Sequence, residues 1–197
     1  MTTEMLENTR GLMGFKRKTL FNKSDKMEVF YFKMYHRIKN KGIKNPLFDD
    51  FSNAIIQFKM GRSKNVEYFF FALNDLLPND CVIIPYVSAF SKEQNYLSVV
   101  KLARMLCTQT SKRLSGDSWI NYPRYFDKIA ESYREKLEPN SLQVDNSKIQ
   151  GIYNKHVIML TDISTNNMNS YLSHYARIKK YQPKKISIVS LGFYVET

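Results

Sequence analysis

The chain has 197 residues, 43% of them hydrophobic and 14% aromatic, which excludes a disordered chain and gives one domain a core of ordinary size. Thirty basic against 18 acidic residues leave a formal net charge of +12, so a polyanionic partner or substrate is expected: nucleic acid, a phosphorylated small molecule, an anionic membrane or an acidic protein surface. Cys81 and Cys107 sit among apolar residues and the three histidines are scattered singly, which excludes a disulfide framework and zinc-ligand spacing; no structural metal is expected.

Residues 1–45 open the chain as a basic, Lys-rich extension, including Lys16, Arg17 and Lys18. Within it "MEVFYFKMYHRI" is aromatic and partly alternating, so a strand or short helix is expected there, with loop or a mobile arm on either side. A surface extension anchored by one aromatic cluster is weighed against a nucleic-acid-binding arm. The remaining residues, 46–197, are expected to form the main domain.

Asp49 or Asp50 is placed to cap a helix carrying Phe51, Ile55 and Phe58 on one face. A break follows at Gly61, then a second helix with Val66, Phe69, Phe70, Leu73 and Leu76 or Leu77 inward. "CVIIPYVSAF" reads as a buried strand running into a loop. "NYLSVVKLARMLC" reads as an amphipathic helix with Tyr96, Val99, Val100, Ala103 and Leu106 inward. The polar middle suggests a helix over residues 125–137. Next come the strand "KHVIMLTDI", a helix over "MNSYLSHYARIKKYQ" with Met168, Tyr171, Leu172, Tyr175 and Ile178 on one side, and the strand "KKISIVSLGFYVE". Continuous apolar strands alternating with helices predict an α/β fold, a mostly parallel sheet flanked by helices.

The turn "TDISTNNMNS" carries the main chemical suggestion. In a parallel α/β sheet, ligands bind at the carboxyl ends of strands. A turn there that opens a helix offers unpaired N–H groups and the positive end of the helix dipole. Ser164, Thr165, Asn166, Asn167 and Asn169 would add donors around a phosphate, and Asp162 would accept from sugar hydroxyls or organise hydrated Mg²⁺. The same residue types also make an ordinary helix N-cap, and that alternative stands beside the first.

This segment resembles the sugar-phosphate loop of type I phosphoribosyltransferases, in which a strand ends in acidic residues followed by a small hydroxyl-rich loop and a helix. The resemblance is nearest to the ComF group, the competence-associated phosphoribosyltransferase-like proteins. "AIIQFKMGR" resembles that group's early helix and its Phe-Lys-x-Gly-Arg turn. "VIIPYVSAFSKEQN" resembles the strand and loop that bind pyrophosphate. "YREKLEPNSLQVDNSKIQGIYNKHVIML" resembles a small hood insertion returning to the core strand. The motifs span about residues 46–197 in the family's order. Thr161-Asp162 stands where the family has two acids, Thr165-Asn166-Asn167 stands for Thr-Thr-Gly, and the zinc-binding cysteine pairs of many ComF proteins are absent.

The resemblance implies phosphoribosyl pyrophosphate or a nucleotide-like ligand, with Mg²⁺ as cofactor. It implies Asp162 as the ribose-facing catalytic carboxylate, with Thr161, Ser164, Thr165, Asn166, Asn167 and Asn169 as the 5′-phosphate and ribose loop. Tyr86, Val87, Ser88, Lys92 and Asn95 would form the pyrophosphate loop, with Lys92 neutralising charge. Lys59 and Arg62 could contact the same anion, and Arg134 and Lys136 could close over it. No residue set for direct metal coordination is implied.

No Gly-x-Ser-x-Gly elbow, P-loop or Gly-x-Gly-x-x-Gly sequence occurs. No apolar run approaches a membrane span and the N-terminal stretch lacks a signal core, so a cytoplasmic protein with no membrane partner is expected. Two functional readings follow. One is a Mg²⁺-dependent phosphoribosyltransferase or a relative using that site for a nucleotide-like ligand. The other is a catalytically reduced module binding nucleic acid or a protein partner, in DNA uptake or a retron-type antiphage complex.

Overall fold

The structure is a computed structural model, and it describes residues 15–22, 25–40, 42–86, 93–109, 113–115, 120–121, 143–144, 149–165 and 169–195. The expected helix over 125–137 lies outside these residues. So do most of the expected hood-like insertion and residues 87–92 and 166–168.

The fold is α/β, a mostly parallel sheet flanked by helices. In chain order its strands are β1 (Lys16–Asn22), β2 (Asp25–Met34), β5 (Cys81–Pro85), β6 (Leu114–Ser115), β9 (His156–Thr165) and β10 (Lys185–Tyr194). Two small ladders stand apart from this sheet: β3 (Lys39–Asn40) with β4 (Ile43–Lys44), and β7 (Ile120–Asn121) with β8 (Gln143–Val144). The main sheet runs β1-β2-β10-β9-β5-β6. Only the β1–β2 pair is antiparallel; the other four neighbour pairs are parallel.

The helices are α1 (Asp50–Lys59), α2 (Ser63–Asn74), α3 (Glu93–Thr108) and α4 (Asn169–Lys179). Asp49 caps α1, its Oδ1 accepting from the Ser52 N–H at 2.8 Å, which satisfies one of the helix's unpaired donors. Gly61, at φ +78°, makes the left-handed turn that ends α1 and admits α2. The apolar faces meet the sheet as their spacing requires. Phe51, Ile55 and Phe58 of α1, Val66, Phe69, Phe70 and Leu73 of α2, and Val99, Leu102, Ala103 and Leu106 of α3 share one core with Ile83, Ile158, Leu160, Val189 and Leu191. On the opposite face Tyr171 and Ile178 of α4 pack with Val82, Ile84, Val157, Met159 and Ile188.

The basic opening segment contributes more than a surface extension. Residues 16–34 form the β1–β2 hairpin, and β2 lies parallel to β10, Val29 opposite Ile188. Met27, Val29, Phe30 and Phe32 are buried there. The aromatic run is therefore a strand of the same sheet, and the boundary expected at residue 45 falls after a strand that the sheet needs.

At the carboxyl end of the central strands the in–out alternation slips by one residue in three neighbours together. The parallel register passes from Ser190 to Gly192 against both β2 and β9. Around that point Phe32 and Lys33, Leu191 and Gly192, and Asp162 and Ile163 all turn toward the α1 side. A Cβ on Gly192 would stand 2.7 Å from Ile55 Cδ1 and 3.0 Å from Tyr35 Cβ, so the close seating of α1 depends on glycine. That seating brings the last residue of α1, Lys59, over the tip of β9.

Candidate functional site

The sheet order alone marks the place where α/β proteins commonly bind ligands. From β5 the chain leaves through α3 to β6 in one direction, with α3 on one face. From β9 it leaves through α4 to β10 in the other direction, with α4 on the opposite face. β5 and β9 are neighbours, so their carboxyl ends form a topological switch point, where diverging connections leave a crevice.

Asp162 stands at this point. Its side chain is 7% exposed, and its Oδ2 lies 3.0 Å from Lys59 Nζ. The Thr161 hydroxyl donates to its other oxygen at 3.2 Å. Lys59 ends α1, where the negative end of the helix dipole favours a cation, and its side chain remains 36% exposed. Tyr35, just beyond β2, is half-buried within electrostatic reach of Lys59, Arg37, Asp162 and Tyr194. Burial, the largest influence, raises its pKa above the ordinary tyrosine value, so the phenol stays neutral and keeps a proton to donate. The Arg37 guanidinium lies 4.4 Å from the centroid of the Tyr194 ring, placing a second cation at the same edge of the sheet.

The strand reaches further than "KHVIMLTDI" suggested. β9 continues through Thr165, so Thr161 to Thr165 are strand rather than turn. Ser164 is fully buried and its hydroxyl lies 2.7 Å from that of Ser190. Thr161 is buried as well, and Thr165 is half-buried at the strand's end. Asn166 and Asn167 lie outside the described residues, and Asn169 is the first residue of α4. Tyr86 follows β5 directly and is 1% exposed; its N–H donates to Leu160 O at 2.6 Å. Its ring packs on Tyr171 and His174, at centroid distances of 4.9 and 4.6 Å, which makes it part of the core on the α4 side. Val87, Ser88, Lys92 and Arg134 lie outside the described residues; Asn95 lies within α3. Arg62 is exposed at the start of α2.

The structure thus brings together Asp162, Lys59 and Thr161, and adds Tyr35, Arg37 and Tyr194, which sequence reasoning missed. Their signal was weak because β2 had not been placed beside β10. His174, buried against Tyr86, was also missed; its position on the inner face of α4, three residues after Tyr171, was the available clue.

The donor set can be tested against the Mg²⁺ that the phosphoribosyltransferase resemblance implies. Among the described residues no three His, Cys, Asp or Glu side chains gather as a metal site. Among the described residues Asp162 is a carboxylate at the switch point, and an ammonium already meets it. These residues do not fit direct coordination of a divalent cation, which would seek several anionic or neutral oxygens.

An α/β protein with a buried ion pair at a topological switch point is the class that fold and site define. No protein-family model and no curated protein matches the sequence. Among solved structures, a match comes from work on how the C-terminal region affects the oligomeric state and activity of Trypanosoma cruzi hypoxanthine phosphoribosyl transferase, with a TM-score of 0.36 and 14% identity. The match covers 71% of this chain, which spans 64% of that structure. No helix among the described residues is long and apolar enough to cross a membrane.

Proposed function

We propose that this chain is a ComF-type phosphoribosyltransferase-like protein that binds a phosphoribosyl or nucleotide-type ligand at the carboxyl ends of β5 and β9. The observation that carries this reading is Asp162, a buried carboxylate at the switch point, three residues before the end of β9 and shortly before the start of α4. A carboxylate there can accept the hydroxyls of a ribose. The segment leading into α4, together with the α4 N-terminus, would receive the phosphate through backbone N–H groups. Lys59 supplies positive charge from the other side.

Phosphoribosyl transfer at such a site would depend on positioning and on stabilising positive charge at the ribose as pyrophosphate leaves. Asp162 faces that ribose in this reading, while Lys92 and Lys59 hold the departing anion. Titration with phosphoribosyl pyrophosphate by calorimetry tests it, beside an Asp162→Ala control whose folding is checked by circular dichroism. Saturable binding that the control lacks is expected. Equal binding by both proteins would remove Asp162 from the site, and heat from neither would discard the ligand reading.

A second reading, a nucleic-acid-binding module on the same fold, is favoured by the hairpin that follows β2. From Arg37 to Phe48 the chain contains no acid. Lys39 faces Lys44 directly across the β3–β4 ladder, and among the described residues neither has an acidic partner. Opposed like charges destabilise a ladder, and a polyanion would relieve them. Here the test is binding to a labelled oligonucleotide as salt rises: a steep loss of affinity, diminished in Lys39→Glu/Lys44→Glu, supports this reading, and no binding at low salt removes it.

A further inference from the structure

Resting on the ligand reading above, we propose that the Lys59 ammonium does at this site the electrostatic work expected of a divalent cation, so that a phosphorylated ligand binds without metal. The argument begins with Asp162. A hydrated divalent cation organised by the protein needs a carboxylate to hold it, and the carboxylate at this switch point is engaged by Lys59 at 3.0 Å. A metal ion seated on Asp162 would stand beside that ammonium in a largely buried setting, where like charges repel more strongly than in water. Metal and Lys59 would therefore compete for the same oxygen.

Lys59 can fill the cation's role as well as block it. An ammonium is a compact charge with three donors on a flexible stem. One donor is directed at Asp162, and the side chain as a whole is 36% exposed, which leaves the lysine within reach of a ligand phosphate. The backbone beneath it is rigid: α1 is anchored by Phe51, Ile55 and Phe58, and its last turn is closed by the N–H groups of Met60 and Gly61 bonding to Ile56 O and Phe58 O. Asp162 in turn fixes the ammonium at the strand tip. Arg37 supplies further positive charge at this edge, and the neutral Tyr35 hydroxyl supplies a donor. Lys59, Arg37 and Asp162 all act on Tyr35, so among the described residues around that phenol two cations stand against one acid, a balance that favours a phosphate.

The sequence offers a reason for the exchange. Where the family pattern has paired acids, this chain has Thr161-Asp162. With one negative charge instead of two, a single ammonium neutralises the strand tip. Thr161 keeps a hydroxyl that donates to Asp162 and helps fix its orientation.

The test is calorimetric titration of the full chain with phosphoribosyl pyrophosphate, once in EDTA and once with excess Mg²⁺. The wild type is expected to bind in both, with dissociation constants within about threefold. Lys59→Met is expected to lose at least tenfold in affinity in EDTA and to recover part of it with Mg²⁺, because the ion then no longer competes with the ammonium at Asp162. Lys59→Arg should keep much of the affinity in EDTA. A wild type that binds only with Mg²⁺, or a Lys59→Met protein that binds like the wild type in EDTA, overturns the metal-free role while leaving the ligand reading in place. Absence of binding in both buffers ends both. Lys59→Met leaves the buried Asp162 carboxylate without its ammonium, so a lower melting temperature is expected; a wild-type far-ultraviolet spectrum at the titration temperature, with affinity kept in Lys59→Arg, assigns the lost affinity to the site.

Discussion

Two buried charges in this molecule are handled in opposite ways. Arg113 is 5% exposed, and its guanidinium is surrounded by fixed oxygens. Nε donates to Pro78 O at 3.0 Å, Nη1 to Asn74 Oδ1 at 2.8 Å and Leu106 O at 3.2 Å, and Nη2 to Asn74 O at 2.8 Å and Leu77 O at 2.9 Å. These are mostly main-chain carbonyls at the ends of α2 and α3, where the helix dipoles are negative and acceptors lack intrahelical partners. Asp162 is as deeply buried, yet it is met by the end of a flexible side chain. The carbonyls around Arg113 belong to the main chain and cannot leave it, whereas Lys59 meets Asp162 with a side chain that is 36% exposed. A charge saturated by backbone locks a fold; a charge held by a partly exposed side chain can also serve binding.

The largest expected effect breaks the first half of this comparison. Arg113→Met should cost about 3–5 kcal/mol, because it strands several buried carbonyls at once. Urea unfolding monitored by circular dichroism will read the loss. A cost below about 1 kcal/mol would mean the clasp is dispensable and the contrast with Asp162 is empty.

The second half predicts a split between stability and binding. Asp162→Asn keeps the side chain's shape and frees a lysine that already reaches solvent, so stability should change by less than about 1 kcal/mol. Affinity for phosphoribosyl pyrophosphate should fall at least tenfold, about 1.4 kcal/mol. Melting temperature and calorimetry on the same preparation separate the two. A large loss of stability would place Asp162 with Arg113 as a structural charge.

Asp49 lies between these cases and sharpens them. Burial works to raise its pKa, but the hydrogen bonds from Lys33 and Ser52 and the Lys33 charge outweigh it, leaving the carboxyl at about 2. A carboxyl depressed in the folded state gives stability that is present above its unfolded pKa of roughly 4 and is lost as pH falls through about 2. Asp49→Ala should therefore cost about 1 kcal/mol near neutrality through the lost cap. It should also flatten the acid limb of the stability profile between those values. Unfolding measured from pH 7 down to pH 2 checks both.

Much of the fold was legible because the apolar spacing is regular. The helical faces of Phe51, Ile55 and Phe58 and of Val99, Ala103 and Leu106 are where their periodicity put them, and Asp49 caps the helix it precedes. The end of β9 was less legible. Polar "TDIST" reads as a turn, but Ser164 and Ser190 satisfy each other across the two strands and Tyr171 donates to Ile163 O, so a hydroxyl-rich segment can lie buried in a sheet. Such pairing depends on a partner far along the chain and leaves no local trace. The same holds for β2, whose alternation suggested a strand but not its neighbour. Asp162 and Lys59 were each singled out separately; their meeting depends on the close seat of α1 over Gly192, which periodicity does not encode.

That placement of β2 has a consequence for how the chain assembles. β10 lies between β2 and β9, so a strand made late in synthesis is inserted into the middle of the sheet, with Val29 waiting for Ile188 and Met159. A nascent chain can pair β1 with β2 at once and cover Phe30 and Phe32 in part with Phe15 and Phe69, but the free edge of β2 waits until β10 emerges. Such non-local closure is slow, and it leaves an apolar strand edge open to other chains in the meantime. Lys16 and Lys18 on β1 flank that early hairpin with positive charge, while Arg17 between them pairs with Glu28 of β2. On a growing chain their repulsion would keep one unfinished sheet from adding to another.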